Sequence, residues 1–257
     1  MADFAKARAF AALHVPGDPV ILYNAWDPGS ARAVAEAGAK AIATGSASVA
    51  AANGYGDGQQ VPLQLVLDNA ERIVKAVDLP VTVDFEGGYG VAPGDVMRNA
   101  SLLASAGAIG CNFEDQVIGG EGLHPVAFQA ERIHAARSAT LSGFFINART
   151  DIFLQAKAEE HDDAKVDAAI VRARAYAEAG ASGFFVPGLA DLRLLKRVCD
   201  ASPIPVNFMA FPGAPRAAEV AAAGVARISH GPFPFKRAMA ALKEGAAAAM
   251  DLGTQAP

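Results

Sequence analysis

A closed barrel of eight parallel strands ringed by helices, the (β/α)8 or TIM barrel, is the fold that this sequence predicts. Three observations carry the prediction. The chain has 257 residues, close to the roughly 250 of one such barrel. Eight short apolar runs recur along it, separated by longer stretches with apolar residues at helical spacing. Four of those stretches close on the same signal, an Ala-Gly pair followed by Ala or Val.

The apolar runs span residues 20–25, 39–44, 81–85, 108–113, 143–148, 183–186, 205–209 and 226–229. They are nearly continuous rather than alternating, as expected of parallel strands buried on both faces. Helical spacing fills 63–77, 93–106, 163–179 and 189–201. Gly38, Gly107, Gly180 and Gly224 end helical stretches just before a strand, where a left-handed residue costs glycine no Cβ clash. Pro80, Pro203 and Pro205 stop helices before the third and seventh strands. An open nucleotide-binding sheet would want GxGxxG after its first strand, but the turn reads Trp26-Asp27-Pro28-Gly29-Ser30. One barrel domain over 1–257 is expected, with a C-terminal helical segment at about 233–257.

Composition sets the boundaries. With 52% hydrophobic and 19% charged residues, the chain can fill a large core. A net charge of −5 and scattered basic residues give nucleic acid no electrostatic footprint. Cys111 and Cys199 are the only cysteines, which fits a reducing cytoplasm rather than a disulfide framework. The charged, amphipathic start lacks a signal-peptide core, and no apolar run approaches a membrane span. A cytoplasmic protein without a membrane partner is expected.

Chemistry in a TIM barrel sits at the carboxyl ends of the strands, and polar residues gather there. The first strand ends in Tyr23-Asn24-Ala25-Trp26-Asp27 and the second in Thr44-Gly45-Ser46-Ala47-Ser48. The third ends in Asp84-Phe85-Glu86-Gly87-Gly88-Tyr89-Gly90, the fourth in Asn112-Phe113-Glu114-Asp115-Gln116, and the fifth in Asn147-Ala148-Arg149-Thr150-Asp151. Asn207 lies in the seventh, and Ser229-His230 closes the eighth.

Asp84 and Glu86 are two apart and point the same way if the strand stays extended. Together with Glu114 from the adjacent strand, where Asp115 also lies, they make an oxygen-only set, suited to Mg²⁺ or Mn²⁺ and poor for zinc. The alternative is structural pairing with Arg98, Arg149 and lysines, or helix capping. Arg149 offers a bidentate fork to a substrate carboxylate, or else pairs with Asp151 or Glu114. The Thr44-Gly45-Ser46-Ala47 turn offers N–H groups and hydroxyls to an anion. His230, alone among the five histidines at a strand's carboxyl end, is a candidate acid or base or a hydrogen-bonded structural residue.

Taken together in this order, these segments resemble the isocitrate lyase and phosphoenolpyruvate mutase superfamily over nearly the whole chain. The matching elements are Trp26-Asp27, Thr44-Gly45-Ser46, Gly56-Asp57, Asp84 to Gly90, Glu114-Asp115-Gln116 and Asn147 to Asp151. The resemblance implies Mg²⁺ held chiefly by Asp84, with Glu86, Glu114 and Asp57 reached through water. It implies a 2-oxo carboxylate bound by the metal, the Ser46-Ala47 turn and Arg149, with Tyr23, Trp26 and Asn207 as further contacts. Glu114, His230 and Asp57 are then the candidate catalytic residues. The resemblance also implies a homo-oligomer, dimer or tetramer, whose last helices exchange between subunits.

Departures narrow the expectation. Isocitrate and methylisocitrate lyases carry Lys-Lys-Cys-Gly-His on the loop after Glu-Asp-Gln, whereas this loop reads Val117-Ile118-Gly119-Gly120-Glu121-Gly122-Leu123-His124. The phosphonate branch's polar loop is not evident either, and Pro187-Gly188 replaces the Glu or His that both branches place at strand six. These losses resemble the branch that includes an oxaloacetate decarboxylase. The expected function is a Mg²⁺-dependent carbon–carbon lyase or decarboxylase on a small 2-oxo or 2-hydroxy (di)carboxylate. The alternatives are a phosphonomutase or phosphonopyruvate hydrolase, and a non-catalytic 2-oxo acid binder.

Overall fold

Each of the eight apolar runs forms a strand in the computed structural model, which describes residues 4–253. The strands are β1 (Val20–Leu22), β2 (Ile42–Ala43), β3 (Val81–Asp84), β4 (Gly110–Glu114), β5 (Phe145–Arg149), β6 (Gly183–Phe185), β7 (Val206–Met209) and β8 (Arg227–Ser229). All pairings are parallel, in the order β1-β8-β7-β6-β5-β4-β3-β2. The remaining gap, between β1 and β2, is closed by a parallel bridge of Ala25 with Thr44. Two hydrogen bonds make it, Ala25 N to Ala43 O (2.8 Å) and Gly45 N to Ala25 O (3.2 Å). The barrel is therefore a (β/α)8 fold with one thin seam.

The helices are α1 (Phe4–Ala12), α2 (Pro28–Glu36), α3 (Ser46–Ala52), α4 (Leu63–Ala76), α5 (Pro93–Ser105), α6 (Val126–Ser138), α7 (Asp163–Glu178), α8 (Leu192–Ala201), α9 (Ala217–Ala222) and α10 (Phe233–Gly253). The four glycine stops hold: Gly38, Gly107, Gly180 and Gly224 have φ of +94°, +95°, +101° and +97°. At Gly107 a Cβ would also lie 2.9 Å from Val74 Cγ1, so backbone and packing both require glycine there.

α1 closes the amino-terminal end of the barrel. Phe10 packs with Val20, Leu22, Ala41, Ala43 and Phe145, its ring centroid 5.3 Å from that of Phe145. Outside the strands a larger apolar cluster joins them to α4–α9. Above the Phe10 floor the lumen turns polar. Arg227 on β8 donates to Asn112 on β4, and these strands are not neighbours in the sheet, so the bond crosses the lumen.

α10 differs from the rest. Leu242 and Met250 are 64% and 73% exposed, and the helix makes no substantial contact with another element among the described residues. On the outer face of β1, where a barrel would carry a helix, Ile21 is 45% exposed at a groove of about 780 Å³ between β1 and α2. The C-terminal helical segment expected at about 233–257 is α10, with residues 254–257 outside the described residues. No helix among the described residues is long and apolar enough to cross a membrane.

Candidate active site

Asp84 is the last residue of β3 and is held from several directions. Its N–H donates to Thr44 Oγ1 (2.9 Å). Its Oδ2 accepts from Ser46 N (3.1 Å) and Ser46 Oγ (3.0 Å), while Asn112 Nδ2 stands 3.5 Å from Oδ1. Ser46 opens α3 behind Gly45, which supplies no side-chain cap, so its N–H is free to turn to the carboxylate. Ser46, expected as a substrate contact, is thus engaged with Asp84, and Ala47 follows it in the helix.

The premise that Asp84 and Glu86 share a face of an extended strand does not hold, because β3 ends at Asp84. Glu86 is left-handed, with φ +48°, and the chain turns through Gly88 N to Phe85 O (2.8 Å). Glu86 is nonetheless brought toward Asp84 by this turn. Arg132 of α6 donates from Nη2 to Gly87 O and Gly90 O (2.9 Å), and Asn99 of α5 donates to Gly88 O and Tyr89 O. Gly88 itself leaves no room for a side chain, since a Cβ would meet Phe113 Cε2 at 2.8 Å. Such left-handed non-glycine residues cost energy and persist only where surroundings over-determine them.

The Glu86 carboxylate accepts from Gln59 N (2.6 Å) and Tyr89 OH (3.2 Å). Burial, followed by repulsion from Asp84, pushes its pKa up to about 7. Asp57 carries much exposed surface, yet its carboxyl also rises above the usual range, through lost solvation and then through Asp84. Ser46 and Gly58 donate to it.

Glu114 lies on β4 opposite Arg149 on β5. Arg149 Nη1 is 2.9 Å from Glu114 Oε2, and its Nε and Nη2 clasp both oxygens of Asp151 at 2.5 and 2.9 Å. Both structural pairings foreseen for Arg149 are therefore formed. Burial opposes its charge, but Glu114 and Asp151 hold its pKa above the ordinary value. Burial likewise drives Glu114 upward, against the pull of Arg149. Asp115 does not join this group. Fully buried, it accepts from Arg172 (3.0 Å), Tyr176 OH (2.8 Å) and Asp151 N (3.0 Å), and so ties α7 to the ends of β4 and β5.

Tyr23, Trp26 and His230 collect elsewhere, around the start of α10. The Tyr23 and His230 rings are 5.1 Å apart, and Trp26 meets Phe235 edge-on at 5.1 Å. His230 Nδ1 lies 3.3 Å from Leu22 O and its N–H donates to Asn24 Oδ1; burial lowers its pKa. Asn207 is buried on β7, and its Nδ2 has no hydrogen-bond partner among the described residues, which leaves it a free donor.

Gln59, Arg132 and Arg227 were not singled out by sequence, and Asn112 was named only as a polar strand end. Gln59 lies beside Gly58 in a loop, and Arg132 looks like one more helix charge. Arg227 carried the one available signal, a charged residue inside an apolar strand.

A divalent cation fits these residues. Four carboxylates, of Asp57, Asp84, Glu86 and Glu114, interact with one another unfavourably, and the donor set is all oxygen. Among the described residues no three His, Cys, Asp or Glu side chains converge closely enough to hold a metal directly. Mg²⁺ keeps several waters and needs only one or two protein carboxylates, which is compatible with this spacing.

Comparison with known proteins places the chain in a family. The family described as phosphoenolpyruvate phosphomutase matches residues 10–250. The chain is 31% identical to the 2-methylisocitrate lyase of Escherichia coli, over 80% of this chain and 70% of that protein. It is 28% identical to the oxaloacetate decarboxylase of Pseudomonas putida, over 79% of this chain and 70% of that protein. A solved Burkholderia cenocepacia structure, provisionally described as a phosphonomutase, shares 50% identity at a TM-score of 0.91, covering 97% of this chain and 98% of that one.

Proposed function

Because the chain belongs to the phosphoenolpyruvate phosphomutase family, within a superfamily of enzymes that make or break C–C and P–C bonds, we propose that it is a Mg²⁺- or Mn²⁺-dependent carbon–carbon lyase or decarboxylase. Its substrate is a small 2-oxo or 2-hydroxy (di)carboxylic acid. The observation that carries this reading is the arginine at the rim of acids: Arg149 lies between Glu114 and Asp151, two strands from Asp84. A bound divalent cation supplies the positive charge that stabilises a developing enolate beside a carboxylate.

The chain's own residues do the rest. Asp84 is the direct metal ligand, with Glu86 and Asp57 holding its waters. Arg149 turns its fork to the substrate carboxylate, and Asn207 donates its unpartnered N–H to the same anion. Glu114, then buried without its counter-ion, takes up a proton and can return it to the substrate carbon. The loop from Val117 to His124 has no cysteine or lysine to perform that step, which favours decarboxylation over methylisocitrate-type cleavage. Incubating the enzyme and Mg²⁺ with a panel of 2-oxo and 2-hydroxy acids, with products read by NMR, tests the reading. Oxaloacetate or a close relative is expected to turn over, and no turnover across the panel would sink it.

The 50% identity to the Burkholderia structure favours a second reading, phosphonopyruvate hydrolysis or mutation. Turnover of phosphonopyruvate without oxaloacetate would decide for it. In either case the exposed α10 is proposed to exchange between subunits, filling the β1–α2 groove of a second copy. A dimer or tetramer by light scattering, lost when α10 is cut back, is the expected result.

A further inference from the structure

Arg227 is a guanidinium only 1% exposed, on β8 inside the barrel. Its Nη2 donates to Asn112 Oδ1 (3.0 Å), while among the described residues Nε and Nη1 have no partner and no carboxylate forms a salt bridge with it. Below it lies the floor, with the Phe10 ring 6.0 Å from its guanidinium carbon. His14 stacks there on Phe145 and is kept neutral by burial and by Arg227 itself. Isolated buried charge is costly, and an apolar residue of the same volume is often as stable or more so. Core filling does not account for an arginine here.

What Arg227 does touch leads to Asp84. Asn112 Oδ1 accepts a second hydrogen bond, from Asn147 Nδ2 at 2.9 Å. Two donors converging on one atom fix which end of the amide is oxygen. The other end, Nδ2, therefore faces Asp84 Oδ1 at 3.5 Å. Ser46 already occupies Oδ2, so the carboxylate is steered from both oxygens. Charge acts along the same line, since Asp84 is the carboxylate that interacts with Arg227.

We propose that Arg227 is a positioning residue for Asp84, setting the Asn112 amide from across the lumen so that Asp84 Oδ1 is presented to the divalent cation. This rests on Asp84 being the direct ligand, and the experiment separates the two claims.

Mn²⁺ is titrated into the metal-free full-length protein, without substrate, and free Mn²⁺ is read by electron paramagnetic resonance. Asp84→Asn is expected to abolish binding in the accessible range; unchanged binding there would overturn the metal assignment rather than the role of Arg227. In Arg227→Met the Mn²⁺ Kd is expected to rise roughly tenfold, the usual scale for an outer partner of a metal ligand, with Arg227→Lys recovering part of it. A residue that only supports packing would lower Tm and leave Kd unchanged. Should Arg227→Met fail to fold, Asn147→Ala keeps the guanidinium and removes the second donor on Asn112, with an expected weakening of about threefold. An unchanged or tighter Kd in whichever of these variants is folded overturns the proposal.

Discussion

The rim of the barrel and the layer just beneath it are both polar, in opposite senses. At the rim, Asp57, Asp84, Glu86 and Glu114 crowd one another, and Arg149 is shared between Glu114 and Asp151. Beneath it, Asn112 and Asn147 are neutral, and Arg227 forms no salt bridge among the described residues. The rim is an unfinished charge balance that a cation and an anionic substrate would complete. The layer below is a fixed frame, in which amides hold direction without bringing charge of their own. In the proposed reading Arg149 exchanges its partners for substrate, whereas Arg227 keeps the one it has.

Asp84→Ala cuts deepest at the rim. Metal-dependent turnover should fall roughly 10³-fold or more, as expected when several kcal/mol of transition-state charge stabilisation is lost. Turnover left intact would remove Asp84 from the metal site. Next comes Arg149→Met, where kcat/KM should drop by about 2–4 kcal/mol, roughly 30- to 1000-fold, the range for truncating one partner of a buried charge pair. Tm should fall with it, because Glu114 and Asp151 are left without their cation. A variant with normal kcat/KM and lowered Tm would make Arg149 part of the frame instead.

The pH dependence of the metal-free protein sharpens the contrast further. Glu86 has its pKa raised from 4.5 to about 7. Below pH 4.5 both folded and unfolded chains hold that proton. As pH rises from 4.5 toward 7 the unfolded chain releases it first, so stability declines by of order 1–3 kcal/mol and levels off above about 7. A divalent cation should reverse this, raising Tm more at pH 8 than at pH 5.5 in calorimetry. The smallest effect is expected at His230, which faces Tyr23 and α10 rather than the acids. His230→Gln should change kcat/KM less than about threefold, whereas losing a working acid or base costs roughly 10²-fold or more.

Much of this architecture was legible in the residues. The Ala-Gly stops marked the passage from helix to strand because only a left-handed residue ends a helix so abruptly, and Gly38, Gly107, Gly180 and Gly224 all adopt it. That Asp84, Glu114 and Arg149 meet at one end of the barrel was legible because each closes an apolar run that had to be a strand. The bend at Glu86 was not, since in Phe85-Glu86-Gly87-Gly88 a positive φ is expected of the glycines. Nor was the placing of His230, because sequence gives the end of a strand but not the side on which the next residue lies. Arg227 escaped because its partners, Asn112 and Asn147, are distant in the chain and meet only when the barrel closes.

The seam between β1 and β2 bears on all of this. Elsewhere around the barrel consecutive strands are laced by register pairs, but here Ala25 alone bridges to Thr44. Thr44 Oγ1 anchors the Asp84 backbone, and Ser46, two residues on, anchors its carboxylate. The most weakly sewn line of the wall is therefore also the hinge on which Asp84 hangs. Opening of the two backbone hydrogen bonds of this seam would pass directly into the reach and angle of the carboxylate.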